Sequence, residues 1–381
     1  MAGYIFNLNS VRSLEQYIEN GIYATKLSAP KNGRWLVHHE GTFADYATMK
    51  PGDNIYFFIQ RNIYGIGRLV EVAGDCKFLN FPQASQPAVF DYEDTQPHLL
   101  WDEGPESVNQ RWLCLFQPSP YFFKNGIDMD DVLASNPGCF RMLRAFWKLS
   151  FIKIDDDENQ ALIDAIVRRN QHLLAHPGEG VYQSNYQAVH NNLAARLVPQ
   201  YRLHSRDILA GCARDTYIAH EMAIEAGLLE QLVAGEPETV QLFGEWDYLS
   251  HQVVASPFKP IDYMDKMDVF GYSYVRGFSR TKSKYLVAEL KKDSANIDDV
   301  NQLMKYVDWV KDEYSFGDYS MIKAFLLAYD FPAGVIECAR QEGERKYIIG
   351  RRPARSATWS DLRLIRYAFN PVAGRLEFRE V

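Results

Sequence analysis

The 381-residue chain has only five cysteines, Cys76, Cys114, Cys139, Cys212 and Cys338, widely scattered and without a Cys-x-x-Cys. Neither a disulfide framework nor a zinc site follows from such spacing. No apolar run reaches membrane-spanning length and no signal-peptide pattern opens the chain, so a cytoplasmic protein with no membrane partner is expected. A Gly-x-x-x-x-Gly-Lys-Ser/Thr loop is missing, which argues against an ATP-driven motor. Gly65-x-Gly67 lies inside a strand-like run instead of opening a helix, which argues against dinucleotide binding. Positive charge is also scarce. The net charge is −8, so any grip on nucleic acid must be local.

Two fragments fall short of metal motifs. His220-Glu221 starts as a His-Glu-x-x-His zinc motif would, but Ile224 stands where the second histidine belongs. His38-His39-Glu40 has no partner at a recognisable spacing. The acidic run Asp155–Glu158 precedes an apolar helical pattern and is expected to oppose the dipole of that helix in its first turn.

Against these absences stands Tyr285-Leu-Val-Ala-Glu-Leu-Lys-Lys292. A strand alternates its faces residue by residue, so Val287, Glu289 and Lys291 share one face while Leu286, Ala288 and Leu290 share the other. A carboxylate and an ammonium on a buried apolar strand need a partner or a metal. Asp268, in the preceding strand-like run Met267–Tyr272, supplies a second carboxylate. Two carboxylates can hold a divalent cation such as Mg²⁺, which keeps part of its water shell and accepts phosphate oxygens. Between the strands, Arg276–Lys284 reads as a polar hairpin connection with four positive and no acidic residues. Asn296 is placed to cap a following helix with Asp298 and Asp299 in its first turn, and Gln302, Tyr306 and Trp309 form a stripe along it. A second Glu-x-Lys, Glu344-Arg-Lys346, lies in a charged stretch and is read as a solvated turn. From Arg340 to the end, ten Lys or Arg face five Asp or Glu.

On these residues, the segment 215–350 resembles the PD-(D/E)XK, restriction-endonuclease-like nuclease superfamily. That pattern is a helix bearing an acid, an Asp on a strand, (Asp/Glu)-x-Lys on the next strand, and a helix often bearing Gln. The counterparts are Glu221 (or Glu225) on a helix expected over Asp215–Ala234, then Asp268, Glu289 with Lys291, and Gln302. Lys266-Met267 stand where the family name has proline. The resemblance implies Mg²⁺ bound by Asp268, Glu289 and the backbone carbonyl of Leu290, with Mn²⁺ able to substitute. Glu221 would bind directly or through water. It gives Lys291 the role of orienting the attacking water or offsetting charge on the phosphorane, and Gln302 that of holding the Glu/Lys pair or reaching a phosphate. Lys282, Lys284, Arg351, Arg352 and Arg355 are the basic residues expected to grip the DNA backbone.

The front of the chain reads as strand, short helix (Ser10–Asn20, stopped by Gly21), a strand at Arg34–Val37, a helix at Thr42–Met49, a Lys50-Pro-Gly-Asp53 turn, and two strands over Asn54–Gln60 and Tyr64–Ala73. The turn followed by Gly-Ile-Gly-Arg-Leu-Val resembles the PUA-like barrels of the EVE/YTH branch. That resemblance implies a base reader, with Trp35, Tyr46, Tyr56 and Tyr64 as candidate linings of a nucleobase pocket. The expected architecture is therefore α/β (α+β): a PUA-like β-barrel with helices over 1–150, a helical connector over 151–214, and a nuclease domain with a mixed sheet flanked by helices over 215–381. A hydrophobic fraction of 47% is enough for separate cores. A base reader joined to a nuclease implies modification-dependent restriction or antiviral defence by a DNA endonuclease, working as a homodimer or higher oligomer because a double-strand break needs two sites. The alternative is a non-catalytic PUA-like reader of modified DNA or RNA with an inactive nuclease-like half.

Overall fold

The computed structural model describes residues 1–146, 150–256, 264–350 and 352–381. It is mixed α/β and divides into two compact units. Unit 1 comprises Met1–Asn32 with Met49–His204, and unit 2 comprises Gly33–Thr48 with Ser205–Val381. These units do not follow the expected boundaries at residues 150 and 214. Residues 151–154 add a strand to the front sheet, and the helix after them covers that sheet's apolar face.

Unit 1 begins with β1 (Gly3–Asn7), α1 (Val11–Asn20) and β2 (Ile22–Lys26). The Ser10 side chain caps α1 by accepting from the Ser13 amide, and Gly21 ends it at φ 64°, where only glycine is unstrained. After β2 comes α2 (Val37–Ala47), which belongs to unit 2. The strand expected at Arg34–Val37 is absent, because Leu36 is the extended N-cap of this longer helix. Unit 1 continues with β3 (Asn54–Ile59), β4 (Asn62–Leu69), β5 (Lys77–Leu79), α3 (Tyr92–Thr95), β6 (Gln110–Pro118), β7 (Ile127–Asp128), α4 (Met129–Ser135), β8 (Phe151–Ile154), α5 (Asp156–Arg169) and α6 (Tyr186–Arg196). Gln60 and Arg61 both have positive φ, the conformation that a two-residue hairpin turn requires, and so set β4 two residues earlier than expected. The strand order is β2-β6-β4-β3-β1-β8, with β5 on β6 and β7 on β4. Asp155 caps α5 by accepting from the Asp157 and Glu158 amides, the dipole-opposing role read for that acidic run.

Unit 2 contains α2 together with α7 (Arg206–Cys212), β9 (Ala213–Arg214), β10 (Tyr217–Ile218), α8 (Glu221–Ala234), α9 (Pro237–Phe243), β11 (Tyr248–Val254), β12 (Lys266–Val275), β13 (Phe278–Leu290), α10 (Ile297–Glu313), β14 (Ile322–Ala328), α11 (Ala333–Glu342), β15 (Arg345–Ile349), β16 (Arg355–Trp359), β17 (Leu362–Asn370) and β18 (Arg375–Glu380). Its main sheet runs β11-β12-β13-β14-β17-β18. The first three strands are antiparallel, and β14 lies parallel to both β13 and β17. Residues 285–290 of β13 are all buried, as befits a strand paired on both edges in mid-sheet. The helix expected from Asp215 starts at Glu221 instead. Asp215 adopts φ 55° and turns the β9–β10 hairpin, which cannot continue as helix. The expected polar connection between β12 and β13 shrinks to Arg276-Gly277, with Gly277 at φ 84°. Asn296 caps α10 with Asp299 closing the capping box, as its sequence predicts.

Candidate active site

The site is built at the end of the β12–β13 ladder. Val269 pairs with Ala288, and the register carried one step further sets Asp268 opposite Glu289. Residues opposite each other on antiparallel strands share a face, so the two acids stand on one side of the sheet. The backbone pairing stops there. The Leu290 amide donates to Asp268 Oδ2 at 2.8 Å instead of to a β12 carbonyl, while the Lys291 amide stays bonded to Leu327 O on β14. Lys291 leaves the strand on the same face as Glu289 and donates from Nζ to Glu289 Oε1 at 2.6 Å. Asp299 at the start of α10 is the second anion beside that ammonium, at 3.9 Å.

Two helical acids were candidates, and the structure separates them. Glu221 accepts from the Lys292 amide at 3.3 Å, at the rim of the cluster. Glu225, one turn on and 2% exposed, is the one brought to Asp268. Gln252 of β11 links them: its Nε2 lies 3.0 and 3.3 Å from the Glu225 oxygens and 3.1 Å from Asp268 Oδ1. His251 also reaches Glu225, with Nδ1 3.4 Å from Oε2, and its Nε2 lies 3.2 Å from Asp45 Oδ1 on α2. Consecutive strand residues ordinarily point to opposite faces. Both reach the same carboxylate here because Gln252 takes a left-handed φ of 50° in mid-strand.

Charge explains why the cluster holds together. Burial, then the Glu225 and Glu289 charges, push the Asp268 carboxyl well above its ordinary range. Burial raises Glu289 to about 7 even though Lys291 pulls the other way. Glu225 is raised by burial and eased by His251. For His251, burial opposes the charged form, but Asp45 and Glu225 outweigh it and raise the imidazole to about 10. Lys291 is likewise raised, because Glu289 outweighs burial. The cluster therefore attracts positive charge. Glu289 is 1% exposed, and its second oxygen, Oε2, is buried with no hydrogen-bond partner among the described residues.

Other expected participants lie elsewhere. Gln302 donates to Tyr306 OH at 2.8 Å and not to the Glu/Lys pair. Lys282 covers the Tyr272 ring at 4.5 Å, Lys284 is exposed on β13, and Arg352 is exposed ahead of β16. Arg351 lies outside the described residues. Trp35 and Tyr46 belong to unit 2, while Tyr56 and Tyr64 belong to unit 1. Trp35, Tyr46 and Tyr56 are buried in packing, Tyr56 with its hydroxyl on Asn159, so these rings offer no free face for stacking. Tyr64 is half-buried. Sequence reasoning missed Gln252, His251 and Asp45. Their signal is a backbone kink and a contact across some two hundred residues, neither of which leaves a local pattern.

No protein-family model matches the chain, and no curated protein does. Solved structures similar to parts of it include the EndoMS–dsDNA2 complex, at 26% identity over 20% of this chain and 28% of that one, with a TM-score of 0.16. A repair endonuclease from Pyrococcus abyssi matches at 23% identity over 34% and 46%, with a TM-score of 0.22. A protein from Agrobacterium tumefaciens matches at 14% identity over 43% and 93%, with a TM-score of 0.26. The chain spans less than half the length of the two endonucleases it matches. Likeness of this extent carries no functional argument, and the chemistry of the site has to carry it.

Proposed function

We propose that the protein is a metal-dependent DNA endonuclease. The observation that carries this reading is the clustering of Asp268, Glu289 and Lys291 on one face of adjacent strands, with Glu225 held against Asp268. The order of elements agrees with the PD-(D/E)XK pattern: an acid-bearing helix, Asp on one strand, Glu-x-Lys on the next, then a helix with Gln302. Glu225 takes the helical-acid role in place of Glu221.

The residues fit a hard divalent cation. The donors are carboxylate oxygens, one of them buried and unpartnered among the described residues, and their proton affinities are raised first by burial and then by neighbouring acids. Asp268, Glu289 and the Leu290 carbonyl would hold Mg²⁺, with Mn²⁺ as substitute and Glu225 or Glu221 reached directly or through water. When bound, such an ion lowers the pKa of water and offsets phosphate charge. The protein's own contribution is positional. Gln252 keeps Glu225 and Asp268 at a fixed separation, His251 anchors Glu225 from behind, and Lys291 presents an ammonium that stays protonated through neutral pH to meet negative charge on the phosphorus. Lys282, Lys284 and Arg352 are proposed to grip DNA backbone.

Unit 1 is proposed as the reader that directs this activity to DNA carrying altered bases, in a restriction or antiviral role and within a homodimer. Its Lys50–Asp53 turn and Gly65-x-Gly67 strand support that role, with half-buried Tyr64 as the candidate for its pocket. The test is to incubate the purified chain with linear DNA, modified and unmodified, with and without Mg²⁺ or Mn²⁺. Metal-dependent cleavage abolished by Lys291→Ala is expected, and binding without cleavage under every metal would overturn the enzyme.

A further inference from the structure

The two fragments that fell short of metal motifs meet in unit 2. Glu40 on α2, Cys212 at the end of α7 and His220 at the head of α8 each present a ligand atom within 4.8 Å of the other two. His220 Nδ1 lies 2.6 Å from Glu40 Oε1. Glu40 is 0% exposed, and its other oxygen, Oε2, is buried with no hydrogen-bond partner among the described residues. A buried carboxylate oxygen left unpaired is unfavourable, and a cation would satisfy it. The Cys212 thiol is buried and donates only long contacts to the Ile208 and Leu209 carbonyls, 3.6 and 3.5 Å away. His220 is half-buried, which leaves one side of the cluster open to water.

We propose that Glu40, Cys212 and His220 form a zinc site that pins α2 to α7 and α8. One sulfur, one imidazole nitrogen and one carboxylate oxygen are the donor types zinc takes, and a water on the open side completes four-coordination. Mg²⁺ avoids such a mixed set, so this site and the all-oxygen cluster at Asp268 take different ions. Zinc binding would displace the proton of the Cys212 thiol. The site also has a structural consequence. Asp45, five residues after Glu40 on α2, holds His251 against Glu225, so fixing α2 on α8 fixes one support of the acid cluster.

The test uses the full chain stripped with a chelator and then loaded with Zn²⁺ or Co²⁺. About one equivalent of zinc is expected to bind, with a rise in Tm that grows with zinc concentration. Co²⁺ should give a thiolate-to-cobalt charge-transfer band in the near ultraviolet. Cys212→Ala should lose that band, and His220→Ala, at a half-buried position, should lose the bound equivalent with unchanged circular dichroism. Asp268→Asn should keep both band and equivalent. Absence of the band in the native chain, or its persistence in Cys212→Ala, would overturn the site, as would undiminished zinc binding in His220→Ala.

Discussion

Lys291 places its ammonium 2.6 Å from one oxygen of Glu289, two residues back on the same strand face, and leaves the other oxygen buried and, among the described residues, unpaired. The pair is therefore half satisfied: one oxygen has a fixed cation and the other is left for a second positive charge. Lys291→Ala removes the fixed charge and pushes the Glu289 carboxyl further up, weakening both metal capture and charge stabilisation. DNA cleavage should fall roughly 100-fold or more while the fold persists. The check is a steady-state cleavage assay beside a thermal melt. A variant within a few fold of wild type would remove Lys291 from the mechanism.

The Glu289 carboxyl gives a stability signature that needs no activity. Its proton affinity rises on folding from an ordinary value of 4.5 to about 7. Below 4.5 the group is protonated in both states and contributes nothing to the pH dependence. Between the two values the folded chain holds a proton that the unfolded chain has lost, so stability falls as pH rises, and above about 7 it stays at the lower level. Tm of the metal-free protein should drop across that window. Glu158, also raised, adds a slope of the same sign. The diagnostic is therefore the difference from Glu289→Gln, which should melt higher than wild type at pH 8 and nearly together with it at pH 4.5. Added Mg²⁺ should close the gap at pH 8.

His251 predicts a slope of the same sign in a higher pH window. Its folded pKa is raised to about 10, above the ordinary 6.5, by Asp45 and Glu225 despite burial. The stabilisation is fully present below 6.5 and is lost as pH rises through 10. Asp45→Asn removes one of the two anions, so it should lower stability at pH 6 and bring the His251 titration down toward neutrality in an NMR pH series. An imidazole that titrates unchanged in the variant would mean that Asp45 does not hold the charge.

What was legible in the sequence was what a short segment determines. Period-two alternation put Glu289 and Lys291 on one face, and Asn296 with two following acids marked the start of α10. The Lys50–Asp53 turn and the hairpin after it likewise follow from local residues. Glu221 and Glu225 lie one turn apart on the same side of α8, so no local pattern could choose between them; the choice was made by Gln252 reaching across from β11. The aromatics failed for a related reason. A tyrosine in a pocket and one in a core look alike in sequence, and Tyr46 and Tyr56 proved to be core. The Gly33–Thr48 segment was read as part of the front domain because it lies there in the chain, yet its apolar face packs on α8.

Gln252 offers the sharpest separation of structure from chemistry. Its amide bridges Glu225 and Asp268, two carboxylates that repel each other, and its backbone sits at φ 50°, which a β-strand residue rarely adopts. Gln252→Gly relieves the backbone and deletes the bridge, whereas Gln252→Ala deletes the bridge and keeps the strain. Loss of the bridge should destabilise the metal-free chain by about 1–3 kcal/mol, and the glycine variant should recover about 1 kcal/mol of that. A divalent cation drawn to the acids would offset the repulsion that the lost amide hydrogen bonds had eased, so Mg²⁺ should raise the Tm of both variants more than that of wild type. Chemical denaturation with and without Mg²⁺ measures all four differences. If Mg²⁺ stabilises the variants no more than the native chain, the amide and the cation do not occupy equivalent roles between Glu225 and Asp268.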